Sequence, residues 1–248
     1  MALSPGRPLL QRGGMRLIEP VPSDRRPARF VLLVAGLAAY GVSVGLMLRA
    51  GLGLMPWSVL DQGLSETFGL EVGTWSIITG VVVLLLWAPL RRRPGVGTLG
   101  NVVLVGLTIN ATLALLPEAR TLPVQVPLLL AGIALNGLAT GAYIGAGLGP
   151  GPRDGLSTAL ADRGLSLRVV RTSIEVGVLA VGWALGGTVN VGTVLYALVI
   201  GPITHRTIPA LRLRSGTGGH RPLVPDSRDP AFSLGRVTTA RIGERDRG

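Results

Sequence analysis

Apolar residues run in long unbroken blocks between Phe30 and Ile203, and no strict two-residue alternation interrupts them. The blocks predict six membrane-spanning helices: Phe30–Leu48, Thr74–Leu90, Leu99–Leu116, Val126–Leu148, Val170–Gly187 and a shorter Val189–Ile203. About 20 apolar residues suffice for a helix to cross a hydrocarbon core roughly 30 Å thick. Two polar stretches stand apart from this pattern. Trp57–Thr67 and Arg153–Arg163 follow the first and fourth blocks, and each is predicted as a short helix entered through a Gly- and Pro-rich break. The first break reads G-L-G-L-M-P, with Gly51, Gly53 and Pro56; the second reads G-L-G-P-G-P, with Gly147, Gly149, Pro150 and Pro152. A proline in the first turn costs a helix little, because the N–H it lacks would have had no partner there.

The two breaks belong to a longer internal repeat. At an offset of 96, Gly36, Gly41, Gly45, Gly51 and Gly53 fall on Gly132, Gly137, Gly141, Gly147 and Gly149; Pro56 falls on Pro152 and Trp87 on Trp183. At an offset of 95, Gly97-Thr98 falls on Gly192-Thr193 and Gly106 on Gly201. The period is that of a duplicated half rather than of a solenoid. Repeat one covers about 30–116 and repeat two about 126–209. Three spans per repeat is an odd number, so the second copy is expected to be inverted in the membrane relative to the first.

Composition narrows the class further. From Val72 to Pro152 the charged residues are Arg91, Arg92, Arg93, Glu118 and Arg120, too few to coat soluble helices. The basic excess, a net charge of +11, is all arginine. With six spans, 22 of the 24 arginines fall in the N-terminal tail, the second and fourth loops and the C-terminal tail. That distribution predicts both termini inside. Residues 1–29 and 210–248 are expected to be basic, disordered cytoplasmic tails flanking a membrane domain at 30–209. The arginines lack a recognition helix or stacking platform, so no nucleic acid is expected as partner. The expected partners are the bilayer and anionic headgroups at the tails, with self-association left open. There is no cysteine and there are two histidines, so no metal or cofactor is expected.

Candidate chemistry is confined to the second half. Arg153 and Asp154 open the second short helix, where N–H groups and the helix dipole favour an anion; alternatively Asp154 caps its own helix and Arg153 pairs with it or with headgroups. Glu175 lies inside a span, and Arg171 is four residues earlier on the same face. The pair is either a salt bridge or the neighbourhood of a proton- or cation-coupled carboxylate. Trp57 and Ser58 stand where the second half has Arg153 and Asp154, so a duplicated site is not expected. Asp61 and Glu66 read as a solvated face. Asn101, Asn110, Asn136 and Asn190 read as interhelical hydrogen-bonding groups, and Tyr40, Tyr143 and Tyr196 as core or interface residues. No nucleophile elbow, P-loop or H-E-x-x-H is present, and no catalytic residue is expected.

The motifs G-L-G-x-x-P-W-x-V-L at 51–60, G-x-G-T-x-x-N at 95–101, G-L-G-P-G-P-R-D-G-L at 147–156 and R-T-S-I-E at 171–175 resemble those of the YczE-like bacterial integral membrane proteins, and more loosely the YitT-type proteins. The resemblance covers about 30–210. It implies a multi-pass protein of the bacterial plasma (inner) membrane, and it brings no catalytic residue with it. The expectation is an all-α membrane protein with two inverted three-helix repeats. It is either a small-solute or ion transporter-like protein, with Arg153, Asp154, Arg171 and Glu175 at its site, or a non-transporting scaffold or regulator acting through its tails.

Overall fold

The computed structural model describes residues 24–213, so both expected tails lie largely outside it. The described residues form eight helices and no strand: α1 (Arg26–Ala50), α2 (Pro56–Phe68), α3 (Val72–Trp87), α4 (Val96–Leu115), α5 (Leu122–Gly145), α6 (Pro152–Ala161), α7 (Leu167–Ala184) and α8 (Val191–Leu211). Helix starts recur along the chain: α5, α6, α7 and α8 begin 96, 96, 95 and 95 residues after α1, α2, α3 and α4.

By length and composition, α1, α4, α5 and α8 can each cross a membrane, and a fifth crossing arises if α2 and α3, bent by 115° at their junction, count as one. The two remaining predicted spans fall short for different reasons. α3 has 16 residues. α7 has 18, but carries Arg168, Arg171 and Glu175. The last helix is longer than expected, running through Pro202 and Pro209 to Leu211. Packing holds it there: Gly137, Gly141 and Gly145 of α5 lie against Ile203, Thr207 and Leu211. The start of α1 also moves, to Arg26. Arg29, expected in the tail, is 2% exposed and donates to the carbonyls of Ala146 (2.8 Å) and Leu213 (3.3 Å) while pairing with Asp24 (2.9 Å).

The helices form two layers. One is a row, α4–α1–α5–α8, in which neighbours pack side by side. α1 and α5 run antiparallel at its centre: Gly36 faces Ala139–Tyr143, and Gly132 faces Ser43–Met47. Gly41 and Gly45 of α1 receive Thr108 and Thr112 of α4, as the α5 glycines receive α8. Small residues at four-residue spacing let backbones approach where lipid supplies no hydrophobic drive. The other layer is a closed quartet, with α2 against α3 and α7, and α6 against α3 and α7. Outward faces are apolar: Leu85 and Leu86 on α3, Leu107 on α4, Leu130 on α5 and Leu198 on α8 are exposed. Polar groups turn inward instead. Asn136, fully buried, donates to Ser43 Oγ (2.9 Å) and accepts from the Tyr196 hydroxyl (3.0 Å), tying α5 to α1 and α8.

Candidate binding cavity

The breaks position the site. Gly51 and Gly147 have φ of 66° and 67°, Gly53 and Gly149 of 116° and 119°, a conformation that penalises any side chain. Each break docks on the start of the other half's last helix. Gly192 N–H donates to Leu52 O (2.7 Å) and Leu54 N–H to Thr193 Oγ1 (3.1 Å). Likewise Gly97 N–H donates to Leu148 O (2.8 Å) and the Thr98 hydroxyl to Pro150 O (2.8 Å). The two Gly-Thr pairs are thus the clamps that hold both breaks. They bring the starts of α2 and α6 together between the layers, and there a cavity of about 700 Å³ opens.

Arg153 and Trp57, equivalent positions of the repeat, meet at its floor. The guanidinium lies 4.7 Å from the Trp57 ring centroid, a cation–π contact. The same guanidinium donates to Asp61 Oδ2 (3.0 Å). Asp61 is 1% exposed and also accepts from the Thr79 hydroxyl (2.8 Å). The expected solvated face of α2 is therefore corrected at Asp61, whereas Glu66 is exposed. A buried carboxylate needs such partners, since an uncompensated one costs several kcal/mol.

Asp154 does not pair with Arg153 and does not cap α6, which has no side-chain cap. It accepts from the Tyr143 hydroxyl (2.9 Å), and Arg171 stands 3.9 Å away. Arg171 makes its closer bond to Glu175 (2.8 Å), the i,i+4 pair read from the sequence. Arg153, Asp154, Arg171 and Glu175 all line the one cavity, together with Arg168. So do Tyr40, Tyr143 and Tyr196, the only three tyrosines in the chain, which sequence reasoning read as core or interface residues. Tyr40 and Tyr143 are also packed edge to face at 6.1 Å. Asn101 lines the cavity, Asn110 bridges α4 to Gly73 and Thr74 of α3, and Asn190 caps α8 rather than bridging helices.

Asp61 and Trp57 are the residues missed by sequence reasoning. The available signal was the offset itself. Asp61 lies one turn after Trp57, and Trp57 is the counterpart of the lone arginine that opens α6.

Comparison with known proteins gives a family and no chemistry. The profile of a family of unknown function, DUF6198, matches residues 27–209. An uncharacterised protein of Haemophilus influenzae is 39% identical over 69% of this chain and 79% of its own length. The uncharacterised membrane protein YczE of Bacillus subtilis is 35% identical over 73% and 86%, which bears out the resemblance drawn from the motifs. The uncharacterised YyaS of the same organism is 28% identical over 70% and 89%. No solved structure matches.

Proposed function

The chain belongs to DUF6198, a family of unknown function, and is a membrane protein; we propose that it carries a small solute across the bilayer by alternately opening two helix seams. The proposal is of passage rather than catalysis. One observation carries it. The helix order repeats, yet the two halves differ most at the seam between their last two long helices. α3 and α4 are packed backbone to backbone: a Cβ at Gly73 would lie 2.1 Å from Gly106 O, and one at Gly80 3.6 Å from Val102 Cβ. α7 and α8, their counterparts, scarcely touch, and the cavity opens between them. Gly201, the equivalent of Gly106, has nothing within 4 Å of a Cβ. At the closed seam a smaller cavity of about 340 Å³ remains, bounded by Val72, Asn110 and Leu113, near the counterparts of Arg168 and Ile208, which line the larger one.

In this reading α3 and α7 each serve as a span, with α2 and α6 as short helices packed between them. The molecule then has six spans in two inverted repeats, N-in and C-in in the inner membrane. The antiparallel α1–α5 pair supports the inversion. The open α7–α8 seam belongs to the cytoplasmic half, and the closed α3–α4 seam to the outer one. Exchange of the two seam states moves the cavity's opening from one side to the other.

The Cys-free chain allows a direct test. A disulfide needs Cβ atoms about 3.5–4.5 Å apart. Cysteines replacing Gly80 and Val102 should link readily in the state described. Cysteines replacing their counterparts Val176 and Ala197 should link only when the α7–α8 seam closes. The expected result is that each disulfide excludes the other and that either one stops flux. Complete formation of both in the same molecules, or no 176–197 link under any condition, overturns seam exchange.

A further inference from the structure

The wall of the cavity has a charge order that its residue list alone does not reveal. Arg153 is already neutralised by Asp61, which lies behind the floor. Two carboxylates, Asp154 and Glu175, then share one guanidinium, that of Arg171. This part of the cavity carries one excess negative charge, and Tyr40, Tyr143, Tyr196 and Trp57 line the same cavity. Arg168 adds a positive charge and has no ion-pair partner among the described residues. It sits seven residues before Glu175 on α7, about 10 Å along the helix axis at 1.5 Å per residue.

Excess negative charge among aromatic faces recognises an organic ammonium group, because ring quadrupoles attract a cation that is too greasy for a water-filled site. The Arg153–Trp57 contact is one such pairing already built into the floor. An unpaired guanidinium two turns away recognises an acid group. We infer that the cavity takes a small zwitterion, with a substituted ammonium seated between Asp154, Glu175 and the tyrosine rings, and an acid group on Arg168. This rests on the reading of the cavity as the solute chamber.

A plain anion is the rival that the three arginines suggest. It loses because two of the three are occupied by carboxylates, and an anion placed beside Arg171 would face Asp154 and Glu175. A bare metal cation is not favoured, because no group of three His, Cys, Asp or Glu side chains able to hold one occurs among the described residues; the tyrosine hydroxyls meanwhile donate within the protein, Tyr143 to Asp154, Tyr196 to Asn136 and Tyr40 to the Met55 sulfur.

The test is calorimetric titration of the full-length protein in detergent with 4-(trimethylammonio)butyrate, tetramethylammonium and butyrate. The zwitterion should bind about tenfold or more tighter than tetramethylammonium, and butyrate should not bind measurably, tenfold being 1.4 kcal/mol. Arg168→Gln should abolish the zwitterion's advantage and leave tetramethylammonium unchanged. Asp154→Asn should weaken both. Tyr196→Phe should keep binding and Tyr196→Leu lose it, which separates the ring from the hydroxyl in proteins whose melting temperatures confirm folding. Butyrate binding as well as the zwitterion, or an unaltered zwitterion preference in Arg168→Gln, overturns the assignment. Failure of all three ligands while the seam disulfides still exclude one another overturns the ligand class and leaves transport standing.

Discussion

At the scale of the residue, four ionisable groups stood out in the sequence because an apolar background makes any charge expensive. Arg153, Asp154, Arg171 and Glu175 do line one cavity, and the Arg171–Glu175 pair follows from helical spacing alone. Arg153's partner did not follow, because Asp61 is 92 residues away and local pattern cannot connect them. Burial of Asp61 fixes what its loss should do. Asp61→Ala leaves the Arg153 guanidinium, 21% exposed, without its carboxylate in a mostly desolvated site. Removing one partner of a buried pair costs about 3–5 kcal/mol. Thermal unfolding in detergent should show that loss, and Arg153→Met added to Asp61→Ala should restore part of it. If the double variant is no more stable than Asp61→Ala, the two residues are not a coupled pair.

At the scale of the element, helix positions were legible to within a few residues, except the end of α8, and the breaks to the residue. The reason is physical: Gly-x-Gly followed by proline encodes a left-handed turn and a helix start, and both need only local sequence. The partner of each break was hidden, since Gly97-Thr98 and Gly192-Thr193 read only as matched positions of the repeat. A substitution separates the two roles of glycine here. Gly69 has φ of 82° with nothing within 4 Å of a Cβ, so Gly69→Ala should cost only the backbone penalty, about 1–2 kcal/mol. Gly149 has φ of 119°, and its Cβ would lie 2.9 Å from both Gly95 Cα and Thr98 Oγ1. Gly149→Ala should therefore melt well below Gly69→Ala. Equal melting temperatures would mean that the clamp does not hold the break. Arg29 makes a similar point about charge. Counted as a tail arginine in the topology argument, it is instead buried at the α1 start, where it ties together the ends of α5 and α8.

At the scale of the whole molecule, the duplication was readable and its asymmetry was not. Gly106 and Gly201 are the same residue at matching positions, but one is pressed between backbones and the other faces open space. Sequence periodicity reports which positions are equivalent, whereas a packed seam is a property of one conformation. That contrast makes the sharpest prediction. A Cβ at Gly106 would lie 2.4 Å from Gly73 O, so Gly106→Val should force α3 from α4 and lower the melting temperature. Overpacking of this kind costs about 1–3 kcal/mol. Gly201→Val meets nothing in the state described and should melt like the parent. Yet if α7 must close on α8 as α3 closes on α4, the added methyls occupy the space that closure requires. Gly201→Val should then fold normally while losing both flux and the disulfide between cysteines at 176 and 197. Full retention of that disulfide in Gly201→Val would show that the second seam does not close in the geometry of the first.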